Sequence, residues 1–174
     1  MKTNYLFTLL FSFMFFANVQ AQVMAEPGAA AVGLVSSYPA YGVSLKYNIT
    51  ETHGAQVIAG FGAYGFGSAS FAASGRYIYN FDVGGISDDE IFYKPYAYAQ
   101  LGYFSVRDDF FGISQSSNTV SFGLGGGVEL EIPEFVEGFT FSAELGYVGG
   151  RFNSVFGSFA GLSYGAGIHY YFDF

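Results

Sequence analysis

Five charged residues lie in segments whose other side chains alternate between apolar types and small or polar types. They are Lys46, Arg76, Glu129, Glu131 and Glu144, and His169 is a further candidate. All of them fall on the polar side of the alternation. A charge enclosed by protein must be paired or hydrated, because an isolated buried charge is costly. We therefore expect a cluster of ion pairs, with Arg76 and Glu144 at similar height and able to meet.

Two interpretations of this cluster remain open. In the one we favour, the ion pairs fill an enclosed space and have a structural role. In the other, the Arg76–Glu144 pair is a gate, and breaking it opens a narrow path for ions.

Residue types that commonly carry catalysis are sparse and poorly placed. The chain has two histidines and no cysteine; we expect His53 in a turn and His169 near a strand end, away from any loop that could assemble a hydrolytic site. The glycines of residues 60–65 match a dinucleotide-binding pattern, but that motif requires a following helix, and here strand-like alternation follows. The acidic residues 88–90 are typical of a solvated turn. We predict no catalytic, cofactor-binding or metal-binding residues.

The composition excludes some partners and points to an apolar environment. With 6 basic and 14 acidic residues, the net charge of −8 disfavours nucleic acid. Only 11% of residues are charged, against roughly 25% in typical soluble domains. Apolar types reach 51%, with 22 Phe and 15 Tyr, and these side chains must meet something apolar.

Alternation with a period of two predicts β-strands from about residue 30 onwards. Eight segments carry the pattern: 30–37, 41–50, 55–64, 71–81, 96–105, 120–132, 139–148 and 162–174. Turns or loops are predicted at 51–54, 84–90, 108–119 and 133–138 from their Gly, Pro, Ser, Asn and Asp content.

Three features favour a barrel in lipid over a soluble sheet. The polar side is rich in Gly and Ser, as a narrow eight-stranded interior requires. The apolar side of these segments carries no charge, and an Arg or Lys at the bilayer midplane would cost about 2–4 kcal/mol. Aromatic side chains such as Tyr77, Tyr79 and Phe81 gather near strand ends, where the membrane interface would lie. We predict an all-β fold: an eight-stranded antiparallel transmembrane up-and-down β-barrel.

The first residues have the character of a targeting segment. Lys2 precedes an apolar run over 5–17, which is shorter than the about 20 residues that a transmembrane helix needs. The residues at 19–21 fit the preference of signal peptidase. We expect a cleaved signal peptide over 1–21, export by the general secretory route, and one barrel domain over 22–174. No later apolar run is long enough for a transmembrane helix, so any membrane insertion would be by strands.

Segments 94–103, 141–147 and 167–174 resemble the small outer-membrane β-barrels of Gram-negative bacteria, of the OmpA transmembrane-domain and OmpX type. The resemblance implies eight antiparallel strands with both termini in the periplasm. It also implies that Tyr170, Phe172 and Phe174 form an assembly signal read by the barrel-assembly machinery. Outer loops would then lie near 36–40, 65–70, 107–119 and 149–157; three are short, which argues against a large protruding binding surface.

We therefore expect an integral protein of the bacterial outer membrane, in contact with its lipid, with a filled polar lumen and a structural or interaction role. We expect no enzymatic activity and no cofactor. The second hypothesis is a small passive pore for ions or modest solutes, and the third is a lipid-modifying enzyme. The sequence identifies no protein partner at the cell surface or in the periplasm.

Overall fold

Strands make up most of the described chain. The computed structural model describes Met24 and residues 26–38, 40–61, 69–86, 91–110, 113–134, 136–152 and 158–172. The strands are β1 (Ala30–Ser37), β2 (Ala40–Asn48), β3 (His53–Phe61), β4 (Ala69–Asn80), β5 (Gly84–Ile86), β6 (Ile91–Phe110), β7 (Ile113–Glu131), β8 (Phe139–Phe152) and β9 (Ser158–Phe172). The expected signal peptide and Phe174 lie outside the described residues. Within the described ranges, no helix has the length and apolarity needed to cross a bilayer.

Eight of these strands close into a barrel. Neighbours along the chain pair antiparallel, β4 pairs with β6, and β1 pairs with β9 to complete the ring. The short β5 pairs with the start of β6, outside the ring. The predicted eight-stranded antiparallel barrel is confirmed. We call the end with the β1–β2 and β6–β7 connections the upper end, and the end with the β2–β3 and β7–β8 turns the lower end.

Side-chain alternation sets the two faces of the barrel wall. In β2, Val43 and Leu45 face outward and are exposed, whereas Ser44 and Lys46 face inward and are buried. The most exposed large residues are on β9, where Leu162 is 78% and Tyr164 is 83% exposed. Successive side chains of a strand point to opposite faces. The apolar rows therefore form the outer surface, and the small and polar rows enclose the lumen.

The predicted loop at 108–119 is wrong, because β6 and β7 run through it. The two strands pair with each other as far as Phe110 and Ile113. The pairing of β4 with β6 reaches Arg107, and that of β8 with β7 reaches Thr119. The hairpin therefore continues past the described pairing with both neighbours at the upper end. A strand pair outside the barrel wall need not alternate apolar and polar residues, and Ser and Asn residues without that alternation are typical of a loop.

The lumen is layered. Polar and charged side chains occupy its middle together with the buried Ile78, Tyr96 and Tyr98, and an apolar cluster lies at each end. At the upper end the cluster consists of Val35, Ala40, Ile58, Ala72 and Phe104, with Phe159 packed against it. At the lower end it consists of Met24, Ala29, Ala31, Phe92 and Tyr171, with Val83 packed against it. We call these the upper cap and the lower cap.

Candidate functional site

The lower ionic group is centred on the carboxylate of Glu129, which is buried at the lower end of β7. Lys46 Nζ on β2 lies 2.8 Å from Glu129 Oε1, and Lys94 Nζ on β6 lies 3.5 Å from Oε2. Thr140 Oγ1 donates to Oε1 at 3.2 Å, and Tyr171 OH donates to Oε2 at 3.0 Å. Two ammonium groups and two hydroxyls therefore share one carboxylate, which gives the buried anion the partners it requires.

The upper ionic group joins Arg76 on β4 to Glu144 on β8 across the lumen. Arg76 Nη1 lies 2.9 Å from Glu144 Oε1 and 3.0 Å from Oε2. The guanidinium also donates to Ser37 Oγ at 2.7 Å and to Gln100 Oε1 at 3.0 Å. Its carbon lies 4.3 Å from the centre of the Tyr98 ring. The expected pair is present, and its cation is held on several sides rather than by Glu144 alone.

Gln56 and Tyr96 connect the two ionic groups. Gln56 Oε1 accepts from Arg76 Nη1 at 3.3 Å, while its Nε2 donates to Ser44 Oγ at 2.8 Å. Tyr96 OH donates to Glu144 Oε1 at 2.7 Å, and Lys46 Nζ lies 5.2 Å from the centre of the Tyr96 ring. Gln56 and Tyr96 thus join the two ionic groups into one network between the caps, while the buried hydroxyls of Ser74, Ser121 and Ser142 stand outside it. Such networks are rigid when their members are satisfied.

Two of the predicted residues lie at the margin of the network. Glu131 is buried near the lower end, and its Oε1 accepts from the backbone N–H of Gly138 at 2.9 Å. This hydrogen bond therefore connects Glu131 to the β7–β8 turn and not to a cation. His169 is buried beside Ser44, with Nε2 at 2.9 Å from Ser44 Oγ, and its Nδ1 lies 3.8 Å from Glu129 Oε1.

Lys94 is the charged member of the lower ionic group that the sequence did not predict, and the hydroxyls of Thr140 and Tyr171 were not predicted either. The predicted strand began at Tyr96, although Lys94 stands two positions earlier and therefore faces the same side. Extending the period of two across Pro95 would have found it. Pro95 lies within β6 next to Tyr96, whose partner Asn80 is the end of the β4 pairing. A proline nitrogen is tolerated there because the neighbouring ladder ends.

Ser44, His169 and Glu129 stand in the order of a hydrolytic triad, but their setting differs from that of an active site. Ser44 is fully buried, and its hydroxyl already accepts a hydrogen bond from Gln56. At 3.8 Å, the His169–Glu129 approach is too long for the orienting hydrogen bond of a triad. A neighbouring cavity lined by Lys46, Tyr96 and Glu129 measures about 10 Å³, room for one water at most.

The remaining predicted positions lie near the barrel ends or outside the described chain. Tyr170 and Phe172 are partly buried at the lower end of β9, opposite Val32 and Ala30 of β1. Phe174 is outside the described residues, so the full assembly signal is not seen. No group of three or more His, Asp or Glu side chains in the described part of the chain is arranged to hold a metal ion.

The upper cap is reinforced by the turn above it. Tyr38, between β1 and β2, meets Phe159 edge-on with ring centres 5.9 Å apart. Burial, with a smaller contribution from the neighbouring Tyr41, raises the pKa of Tyr38 to about 12. The backbone oxygen of Tyr38 accepts a hydrogen bond from Gln100 Nε2 at 3.4 Å. The turn thus joins the cap to the polar network.

The comparison with solved structures identifies the architecture. The N-terminal β-barrel domain of Pseudomonas aeruginosa OprF covers 84% of this chain and 98% of its own, with a TM-score of 0.62 and 19% identity. The fold is that of a small outer-membrane β-barrel. Neisserial surface protein A matches 84% of this chain and 94% of its own, at 19% identity and a TM-score of 0.45. No protein-family model and no curated protein matches the chain.

Proposed function

We propose that the chain is an integral protein of the bacterial outer membrane whose lumen is filled and closed, with a structural or interaction role. The supporting observation is the inversion of the usual arrangement: large apolar side chains cover the outside, and ion pairs occupy the inside. Soluble monomers rarely expose apolar patches larger than a few hundred Å². A wall of this kind is suited to hydrocarbon.

The distribution of charge on the outer face supports contact with lipid. Among the outward-facing strand side chains that the structure describes, one is charged. It is Arg151, near the upper end of β8. The level occupied by Leu145 and Tyr164, which pair across β8 and β9, is apolar. A band free of charge is what the low polarity of a bilayer core demands.

Heat-modifiable migration and protease protection in intact cells test the location. A barrel in the outer membrane should migrate at a different apparent size when unboiled, and should fractionate with outer-membrane lipid. Recovery as a soluble periplasmic protein would contradict the proposal. The same fractions, taken from cells depleted of the barrel-assembly machinery, test the expected dependence on that machinery.

The closed lumen favours a non-conducting barrel over a passive pore or a gate. An ion would have to pass both apolar caps as well as the network between them. We expect the refolded protein to give no channel steps in planar bilayers, and the Arg76→Ala variant to leave the baseline unchanged because the caps persist. Defined steps from the unmodified chain would support the pore. Steps from the variant alone would support the gate.

The burial of Ser44 and His169 is the reason to propose that the barrel has no enzymatic activity. A hydrolase needs its nucleophile within reach of the substrate, and Ser44 is fully buried within the lumen. Mass spectrometry of lipid A from cells with and without the protein should give identical spectra. A mass difference that depends on the protein and is lost in the Ser44→Ala variant would contradict this proposal.

A further inference from the structure

The residues immediately before β1 occupy the lower mouth of the barrel. Met24 is fully buried there, in the lower cap beside Phe92 and Tyr171. The backbone turns at Gly28 with a φ of 88°, and a Cβ added to Gly28 would meet nothing within 4 Å. This left-handed turn, which glycine adopts readily, connects the wall of the barrel to the segment that closes it.

Two buried side chains of the wall hold this segment. Asn48 Nδ2 donates to the backbone oxygens of Met24, at 2.9 Å, and Glu26, at 3.2 Å. Lys94 Nζ donates to the same oxygen of Met24. At its base, Gly28 N donates to the backbone oxygen of Asn48 at 2.8 Å. The lower ionic group and the segment are therefore connected through Lys94.

We propose that Met24 and residues 26–29 form a releasable plug, which leaves and re-enters the lower mouth while the barrel strands stay paired. The plug precedes β1 and is held by side-chain hydrogen bonds and, at its base, by two backbone hydrogen bonds to Asn48, whereas β1 is paired along its whole length with both β2 and β9. Segments with few contacts open at a lower free energy than the strands of a core. When the plug leaves, Lys94 loses its carbonyl partner and the lower ionic group meets solvent.

Thiol labelling tests the plug without requiring a membrane, so its outcome is separate from that of the proposed location. The chain has no cysteine, and Met24→Cys therefore introduces a single probe. In refolded protein in detergent micelles, it should react at least about tenfold more slowly than Val136→Cys, in an exposed turn at the same end, because the plug is mostly seated. It should also react at least about tenfold faster than Ile58→Cys in the upper cap, because release does not require the barrel to unfold.

Two paired variants test what holds the plug. Asn48→Ala in the Met24→Cys chain should accelerate labelling about tenfold, since two hydrogen bonds to the plug are lost; Asn80→Ala is the matched buried control. Gly28→Ala should accelerate it by a similar factor of about ten, because an alanine is strained at a left-handed φ. Gly138→Ala, at the other left-handed glycine within the described ranges, with a φ of 75°, should not.

Three results would overturn the plug. The first is equal labelling of Met24→Cys and Val136→Cys, which would show that Met24 is not seated. The second is equal labelling of Met24→Cys and Ile58→Cys, which would show that release requires global unfolding. The third is no acceleration by either Asn48→Ala or Gly28→Ala. Heat-modifiable migration of each variant verifies that the barrel is folded, and either anchor variant suffices if the other does not fold.

Discussion

Glu129 is the residue on which the lower ionic group depends, because the ammonium groups of Lys46 and Lys94 share its carboxylate. All three side chains are buried in the lumen. Desolvating three charges is costly, and the cost is offset only while the anion stays in place. Loss of the carboxylate would leave two buried cations facing each other across the lower lumen.

We expect Glu129→Gln to lower the free energy of unfolding by about 3–5 kcal/mol, the usual cost of breaking a buried ion pair. Urea unfolding of the refolded protein measures it. Glu134→Gln, in the exposed β7–β8 turn, is the matched control and should change stability by less than about 0.5 kcal/mol. Equal effects of the two substitutions would mean that the lumen charges are well hydrated.

Gly42 and Gly75 differ in what surrounds them, although both lie within the barrel wall. A Cβ on Gly42 would lie 2.3 Å from the backbone oxygen of Ala59 on the neighbouring strand, whereas one on Gly75 would meet nothing within 4 Å. Gly42→Ala should therefore destabilise the protein by about 1–3 kcal/mol through overpacking. Gly75→Ala should be neutral or stabilising by about 0.4–1 kcal/mol, through the loss of unfolded-state entropy. The same urea unfolding curves decide, and a reversed order would contradict the close approach of β2 and β3.

At the scale of elements, the sequence predicted all eight barrel strands, because each has a row of apolar side chains on its outer face and a row of small or polar side chains facing a crowded lumen. That two-sided setting produces the alternation. It is absent where the β6–β7 hairpin passes its neighbours and in the segment containing Met24, and both were missed. Lys94 was missed for a related reason, since Pro95 interrupts the apparent strand. The sequence alone could not show which side chains on different strands meet in the lower ionic group, because these contacts depend on the register between the strands.

The upper part of the β6–β7 hairpin should be dispensable for the barrel. Its residues beyond Arg107 on β6 and before Thr119 on β7 lie past the pairing with β4 and β8. Replacing residues 109–114 with an Asn-Gly turn, which suits a two-residue hairpin, should leave heat-modifiable migration intact. We expect a stability change below about 1 kcal/mol, because shortening a connection alters closure entropy little. Failure of this variant to fold would show that the hairpin helps to form the barrel.

At the scale of the whole molecule, the proposed location depends on whether the outer wall of the barrel faces lipid or water. Leu145 is 64% exposed in the middle of β8, within an outward-facing row of apolar side chains of the kind that the proposed contact with hydrocarbon requires. A soluble barrel with the same pairing would place such rows inside.

Leu145→Arg tests this at a single site. In liposomes it should cost about 2–4 kcal/mol of unfolding free energy, as expected for arginine near the bilayer midplane. Val136→Arg, in the exposed β7–β8 turn, should cost much less. If Leu145→Arg were as well tolerated as Val136→Arg, the outer wall would be in water and the proposed location would fail.

The pairing of β1 with β9 has a consequence for biogenesis. Every other ring contact joins strands that follow each other closely along the chain, but this seam joins the two strands furthest apart in sequence. Until β9 arrives, β1 keeps a row of unsatisfied amide and carbonyl groups, which readily recruits foreign strands. We therefore expect β1 to need shielding until β9 is available, and the closure of the ring to be slow because its two strands are far apart in sequence.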